Sequence, residues 1–77
     1  MEKVFEIINE TLHLHDIEIT EDSSFRDDFG ADSIDLVEMV MALEEEYGVE
    51  ISYEEVVDHV KTVGDALEYM RSLGIDV

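Results

Sequence analysis

The segment DSIDLVEMVMALEEEYG, residues 32–48, has the clearest helical pattern in the chain. It opens on Asp32, whose side chain is of the type that caps helix N-termini, and it closes on Gly48, of the type that ends helices. Apolar residues recur between them at the spacing of an α-helix. The segment therefore predicts a helix from about Ser33 to Tyr47.

The apolar residues of this helix fall on two opposite sides. At about 100° per residue, one side holds Leu36, Met39, Val40 and Leu43, and the other holds Ile34, Val37 and Met41. Glu38 and Glu45 share the second side, and carboxylates are rarely buried without a partner. We therefore expect the first side to face the core and the second to be an exposed recognition face with an acidic rim. The alternative is a helix buried on both sides.

Ser33 lies at the first turn of this helix. A serine there commonly serves as a capping residue. An exposed hydroxyl at a helix N-terminus also suits an attached phosphate, because free backbone N–H groups and the positive end of the helix dipole lie beside it. The segment is not a Gly-x-Ser-x-Gly elbow, and His59 is distant in sequence, so an enzymatic nucleophile is disfavoured. A cap and an acceptor modified by another protein both remain open.

The remaining segments predict further helices. Residues 1–12 place apolar side chains at helical spacing, namely Val4, Ile7, Ile8 and Leu12. Ser52-Tyr53-Glu54-Glu55 matches a capping box that opens a short helix, and Thr62-Val63-Gly64-Asp65 opens a last helix that ends before Gly74. Periodicity fails over residues 16–32, which predicts a long loop with the apolar anchors Ile17, Ile19, Phe25 and Phe29.

Together these segments predict an all-α fold for residues 1–77 as a single domain. The expected architecture is a small up-down helical bundle of three main helices plus one short helix, with a long loop between the first and second helices.

Composition restricts the classes of partner. The chain has 22 Asp and Glu against four Lys and Arg, a net charge of −18, which repels nucleic acid and anionic lipid and attracts basic protein surfaces. Cysteine is absent, so neither disulfides nor thiolate metal sites are available. No stretch approaches the roughly 20 apolar residues of a membrane span, and no signal-peptide pattern opens the chain. We expect a cytoplasmic monomer that binds no nucleic acid.

Two segments contain residues of the types that bind metal ions. His13 and His15 diverge on a helix, and no third ligand follows at useful spacing. Residues 27–30 resemble a calcium loop only superficially, since Phe25 and Leu36 would occupy ligand positions. The sequence predicts no metal site.

The run Gly30-Ala31-Asp32-Ser33, with Asp35 and Glu38 after it, resembles the acyl carrier proteins of dissociated (type II) fatty-acid synthesis. The likeness covers nearly the whole chain. It implies that Ser33, beside Asp32, receives 4'-phosphopantetheine from coenzyme A through a holo-acyl-carrier-protein synthase. The thiol of that arm would carry the acyl chain as a thioester, and the chain itself would have no catalytic activity.

The resemblance also implies a docking surface for fatty-acid synthesis enzymes with basic patches. Its implied residues are Ile34, Asp35, Val37, Glu38, Met41, Glu44 and Glu45. Ile34 stands where this family more often has leucine. Two alternatives stay open: a carrier of another cargo, polyketide or aminoacyl, and a non-carrier acidic interaction module.

Overall fold

A computed structural model describes residues 2–14 and 17–77 as four α-helices. They are α1 (Glu2–Thr11), α2 (Ser33–Tyr47), α3 (Tyr53–His59) and α4 (Val63–Ser72). The described residues contain no strand, only an isolated antiparallel bridge between Ser24 and Thr62. The prediction of an all-α fold with three main helices, one short helix and a long connection before α2 is confirmed.

The limits of α2 are set by the residues that the sequence indicated. Asp32 is the N-cap: its Oδ1 accepts the N–H of Asp35 at 2.9 Å, while Oδ2 of Asp35 accepts the N–H of Asp32 at 3.2 Å. At the other end Gly48 adopts the left-handed conformation, with φ of 64°, and donates its N–H to the carbonyl of Glu44. Glycine adopts this conformation without a steric penalty.

The capping boxes predicted for the last two helices differ. At α4, Thr62 accepts the N–H of Asp65 at 3.2 Å and Asp65 accepts the N–H of Thr62 at 3.1 Å. At α3, Ser52 accepts the N–H of Glu55 at 3.4 Å, but the N–H of Ser52 donates to Oη of Tyr69 at 3.2 Å. The reciprocal half of the predicted box at Ser52 is therefore wrong, because a phenol from α4 takes the place of the Glu55 carboxylate.

All four helices contribute to one apolar core. The buried residues of the helices are Val4, Ile7, Ile8, Leu36, Met39, Val40, Leu43, Val56, Val63, Ala66, Leu67 and Met70. The first apolar side of α2 is thus the core side, as expected. The short α3 contributes a single buried residue, Val56.

The long loop is anchored by fewer of its apolar residues than expected. Phe25 is buried and meets the ring of Phe29 edge-on, with centroids 6.0 Å apart, and Phe29 and Ile19 pack half-buried against the core. Ile17 is 42% exposed, so its prediction as an anchor is wrong. Leu14 takes the buried position next to α1 instead, and Ile17 lies at the rim of an open cleft.

Backbone contacts fasten this loop to the start of α4. The N–H of Phe25 donates to the carbonyl of Lys61 at 3.1 Å, and the N–H of Gly64 donates to the carbonyl of Glu21 at 2.8 Å. A Cβ on Gly64 would lie 3.0 Å from that carbonyl oxygen, so a larger residue here would crowd the Glu21 backbone. The loop that precedes α2 is therefore held by the segment that opens α4.

The His13–His15 pair lies partly outside the described residues, since His15 is not among them. His13 has a positive φ of 52° just after α1.

Candidate functional site

Ser33 is the first residue of α2 and is exposed. The capping role that its position suggested belongs to Asp32, whose carboxylate accepts the N–H of Asp35. The Ser33 side chain therefore does not serve as the N-cap, the commonest structural role of a serine at a helix start.

Ser33 differs from the other four serines of the chain in the use of its hydroxyl. Four use the hydroxyl locally: Ser23 accepts the N–H of Thr20, Ser24 that of Asp27, Ser52 that of Glu55, and Ser72 donates to the carbonyl of Tyr69. The Ser33 hydroxyl has no hydrogen-bond partner among residues 2–14 and 17–77. Ser33 is therefore the serine whose hydroxyl is exposed and makes no hydrogen bond to the described residues.

Tyr53 makes a contact with this residue that the sequence did not reveal. Its Oη donates to the main-chain carbonyl of Ser33 at 3.3 Å, from the first residue of α3. The contact spans 20 residues and depends on how α3 lies against α2, so no local pattern could indicate it. No base among the described residues hydrogen-bonds the Ser33 hydroxyl, as a nucleophile of a hydrolase would require.

The second apolar side of α2 is exposed, and the exposed fraction differs among its three apolar residues. Ile34 is 69% exposed, Met41 60% and Val37 38%. Glu38 and Glu45 are exposed beside them. The structure thus brings together an apolar strip and an acidic rim starting one residue after Ser33, and the alternative of a helix buried on both sides is wrong.

Two further carboxylates of the implied docking surface accept internal hydrogen bonds. Oε2 of Glu44 accepts the N–H of Ile51 at 2.9 Å, which holds the segment between α2 and α3, and Asp35 completes the cap with Asp32. Both are half-buried, whereas Glu38 and Glu45 make no such bond within the described residues. Glu44 and Asp35 therefore contribute to the fold at the edges of this surface.

The pKa shifts lie away from Ser33 and have simple causes. Burial raises the pKa of the Tyr69 phenol, partly offset by the N–H of Ser52, so the phenol stays protonated at neutral pH. The backbone N–H groups of Lys61 and Thr62 lower the pKa of Asp65, because they favour its charged form. Each of these two groups accepts a backbone N–H at the start of a helix: the Tyr69 phenol at α3 and the Asp65 carboxylate at α4.

The described residues contain no cluster of three or more potential metal ligands. None of the helices in residues 2–14 and 17–77 has the length and apolar character to cross a membrane.

The surroundings of Ser33 fit a covalently attached phosphoryl group. Its oxygen is exposed and uncommitted, and it lies on the first turn of a 15-residue helix. The backbone N–H groups at such an end are favourable partners for a phosphate charge.

Comparison with known proteins identifies the family of the chain. Residues 2–70 match the family described as "Phosphopantetheine attachment site". A protein from Mycobacterium tuberculosis, provisionally assigned as an acyl carrier protein, has 30% sequence identity and a TM-score of 0.83, over 94% of this chain and 95% of that one. The solution structure of a similarly assigned protein from Anaplasma phagocytophilum has 32% identity and a TM-score of 0.82, over 97% of this chain and 88% of that one. The chain therefore belongs to the phosphopantetheine-dependent acyl carrier protein family, whose cofactor is 4'-phosphopantetheine.

Proposed function

We propose that this protein carries acyl intermediates of fatty-acid biosynthesis as thioesters on 4'-phosphopantetheine attached to Ser33. The observation that carries the proposal is the Ser33 hydroxyl, which is exposed and has no partner among the described residues while the other four serines are engaged. A side chain without a structural task at a helix N-terminus is suited to modification.

Ser33 supplies the oxygen to which the arm is joined, and the bound arm supplies the thiol that holds the acyl chain. The base that removes the hydroxyl proton must come from the holo-acyl-carrier-protein synthase, because no described side chain is placed to do so. The first N–H groups of α2 would stabilise the phosphate charge beside Ser33. Asp32 fixes this helix end by holding the N–H of Asp35.

The exposed side of α2 is the proposed docking surface for the synthase and for fatty-acid synthesis enzymes. Glu38 and Glu45 would meet basic patches and steer the encounter, while Ile34, Val37 and Met41 would make short-range apolar contacts. Asp35 and Glu44 would take part at its edges with the oxygens not used internally. Steered but brief contacts suit a carrier that must pass from one enzyme to the next.

The core must open to shelter an apolar cargo. The free volume lined by Met39, Val40 and Leu43 with residues of α3 and α4 is about 10 Å³, no more than one water molecule needs. Leu36, Met39, Val40 and Leu43 would line the opened space. The short α3, with one buried residue, is the wall with the least packing to lose.

We expect this carrier to act in the cytoplasm as a monomer without catalytic activity of its own, since every partner must reach the same arm.

Intact mass spectrometry tests the attachment. Incubation with a holo-acyl-carrier-protein synthase, coenzyme A and magnesium should add one phosphopantetheine to the wild-type chain. Ser33→Ala should abolish the addition, and Ser24→Ala, the matched control in the preceding loop, should retain it. An unmodified wild type, or addition that survives in Ser33→Ala, would refute the proposal.

The mass of the cargo tests the fatty-acyl part of the proposal. Protein isolated from its native cell should carry saturated or β-oxygenated acyl chains that differ by two-carbon units. Aminoacyl groups or polyketides on the arm would assign the chain to another carrier class and leave the attachment at Ser33 intact.

A further inference from the structure

A cleft of about 340 Å³ lies between the first turns of α2, the end of α3 and the turn that follows Ser24. Its walls are apolar and are formed by Phe25, Leu36, Val57 and Val60. The charged residues that line it are Arg26, Lys61 and Asp27. Two cations and one carboxylate give this cleft a positive balance.

This balance is unusual on a chain with four cations and a net charge of −18. Other clefts are acidic: one beside α1 is lined by Glu2 and Glu6, and one under the loop by Glu18, Asp22 and Asp28. A third, between α1 and α2, has three glutamates. Half of the cations of the chain thus line one apolar cleft.

Neither cation is neutralised by a carboxylate within the described residues. The ion pair found there joins Lys3 to Glu46, at 3.8 Å. Nζ of Lys61 donates to the carbonyl of Val57 at 2.6 Å, which holds the ammonium at the cleft wall and leaves two of its three N–H groups available.

The backbone holds the two cationic residues on adjacent segments. The N–H of Phe25 donates to the carbonyl of Lys61 at 3.1 Å, beside the bridge between Ser24 and Thr62. Arg26 directly follows Phe25, so both cationic residues belong to the same fastened pair of segments. The fold therefore places both residues at the same cleft.

One wall of the cleft lies within one helical turn of Ser33. Leu36, in its wall, is three residues after Ser33 on α2, a separation that places Cβ atoms about 5–6 Å apart. On the facing helix, Tyr53 contacts the Ser33 carbonyl and Val57 lies one turn further along, in the cleft wall. A group tethered to Ser33 can therefore reach this space.

We propose that this cleft is a binding site for an oxyanion tethered to Ser33. Its apolar walls take methylene groups, and Arg26 with Lys61 binds the charge. The occupant is the carboxylate at the far end of an acyl cargo or the phosphate of the arm, which share this chemistry. The inference rests on the proposed attachment at Ser33. If the cargo carboxylate is the occupant, the site also gives the carrier a preference for anionic cargo, which an acidic surface would otherwise disfavour.

The absence of cysteine from the chain provides a test that needs no transferase. Ser33→Cys can be alkylated selectively with haloacetamide tethers of equal length that end in a ¹³C-labelled carboxylate or in a carboxamide. The pKa of the tethered carboxylate, followed by ¹³C NMR, should lie about one unit below that of the free reagent, since cations within about 4–6 Å favour the charged form.

The matched control separates this site from the general charge of the protein. Arg26→Gln with Lys61→Gln should raise the tethered pKa above the free value, because only the acidic field remains. Lys3→Gln with Arg71→Gln makes the same change in net charge elsewhere and should leave the lowered pKa in place. A tethered pKa at or above the free value in the wild-type background, or equal effects of the two double variants, would overturn the inference.

Loading of the wild-type chain distinguishes the two sources. The ¹⁵N shift of Arg26 Nε should move on attachment of the arm alone if the phosphate is the occupant. If the cargo carboxylate is the occupant, the ¹⁵N shift of Arg26 Nε should move with a hexanedioyl cargo. It should then not move with the arm alone or with a hexanoyl cargo. Failure of Ser33 to load would refute the proposed function, while the cysteine tether would still decide the inference.

Discussion

The two sides of α2 have similar residues and opposite surroundings. Met39 on one side is 1% exposed, and Met41 on the other is 60% exposed, two positions along the same helix. The first lies in the apolar core beside residues of α3 and α4, whereas none of the described segments covers the second. The difference shows that apolar character alone does not identify the core of so small a domain, and that an exposed apolar strip with an acidic rim can be a surface kept for partners.

The largest effect expected from this comparison is on stability. Met39→Ala should lower the free energy of unfolding by about 2–5 kcal/mol, because it removes buried methylene groups and leaves a cavity. Met41→Ala should change it by less than about 0.5 kcal/mol. Urea titrations followed by circular dichroism measure both. Similar losses for the two variants would mean that the outer side of α2 is also packed.

The next effect concerns encounters with the synthase. Glu38→Lys with Glu45→Lys should reduce the association rate about tenfold at low ionic strength and flatten its salt dependence, because both carboxylates are exposed on the proposed docking surface. Stopped-flow mixing at two salt concentrations measures this.

Glu54→Lys with Glu68→Lys is the matched control for these reversals. It makes the same change in net charge at exposed positions on α3 and α4 and should slow association far less. Equal slowing by both pairs would assign the steering to net charge and not to α2.

A smaller effect is expected where the two sides of α2 meet. Glu44 accepts the N–H of Ile51 at 2.9 Å, and its neighbour Glu45 makes no such bond within the described residues. Glu44→Ala should therefore cost about 1 kcal/mol of unfolding free energy, and Glu45→Ala close to none. Thermal melts of the two variants decide this, and equal melting temperatures would show that the Glu44 bond contributes nothing.

The sequence predicted those parts of the molecule that depend on local rules. The limits of α2, its cap at Asp32 and the separation of its two sides follow from residue type and helical period, and the structure has all three. The motif around Ser33 also identified the family. The docking residues and the attachment at Ser33 itself stay predictions until they are measured.

The features that the sequence missed depend on contacts between distant segments. Ile17 was expected to anchor the long loop, but it is 42% exposed, and Leu14 is buried just after α1. Ser52 was expected to share its N–H with Glu55, but Tyr69 from α4 accepts it. Tyr53 and the pair Arg26 and Lys61 reach the neighbourhood of Ser33 only through the placement of α3 and the loop. Local periodicity contains no information about such approaches.

The smallest effect separates carboxylates that accept hydrogen bonds within the fold from those of the proposed docking surface. The N–H groups of Lys61 and Thr62 lower the pKa of Asp65 in the folded protein. A group whose pKa is lower when folded stabilises the protein above its unfolded pKa, roughly 4, and the contribution is lost as the pH falls through the folded value. Asp65→Asn should thus cost less than about 1 kcal/mol at pH 7, since Asp65 is only half-buried and solvent screens it.

The difference between wild type and Asp65→Asn should shrink as the pH falls below about 4. Glu38→Gln is the control: that carboxylate is exposed and accepts no bond from the described residues, so its loss should leave the free energy of unfolding at pH 7 nearly unchanged. Urea titrations at pH 7 and pH 3 measure both differences. If the difference in unfolding free energy between wild type and Asp65→Asn were unchanged at pH 3, the hydroxyl and backbone of Thr62 would cap α4 without help from the Asp65 charge. In that case the carboxylate at the start of α4 would contribute no more to stability through its charge than the carboxylates on the outer side of α2.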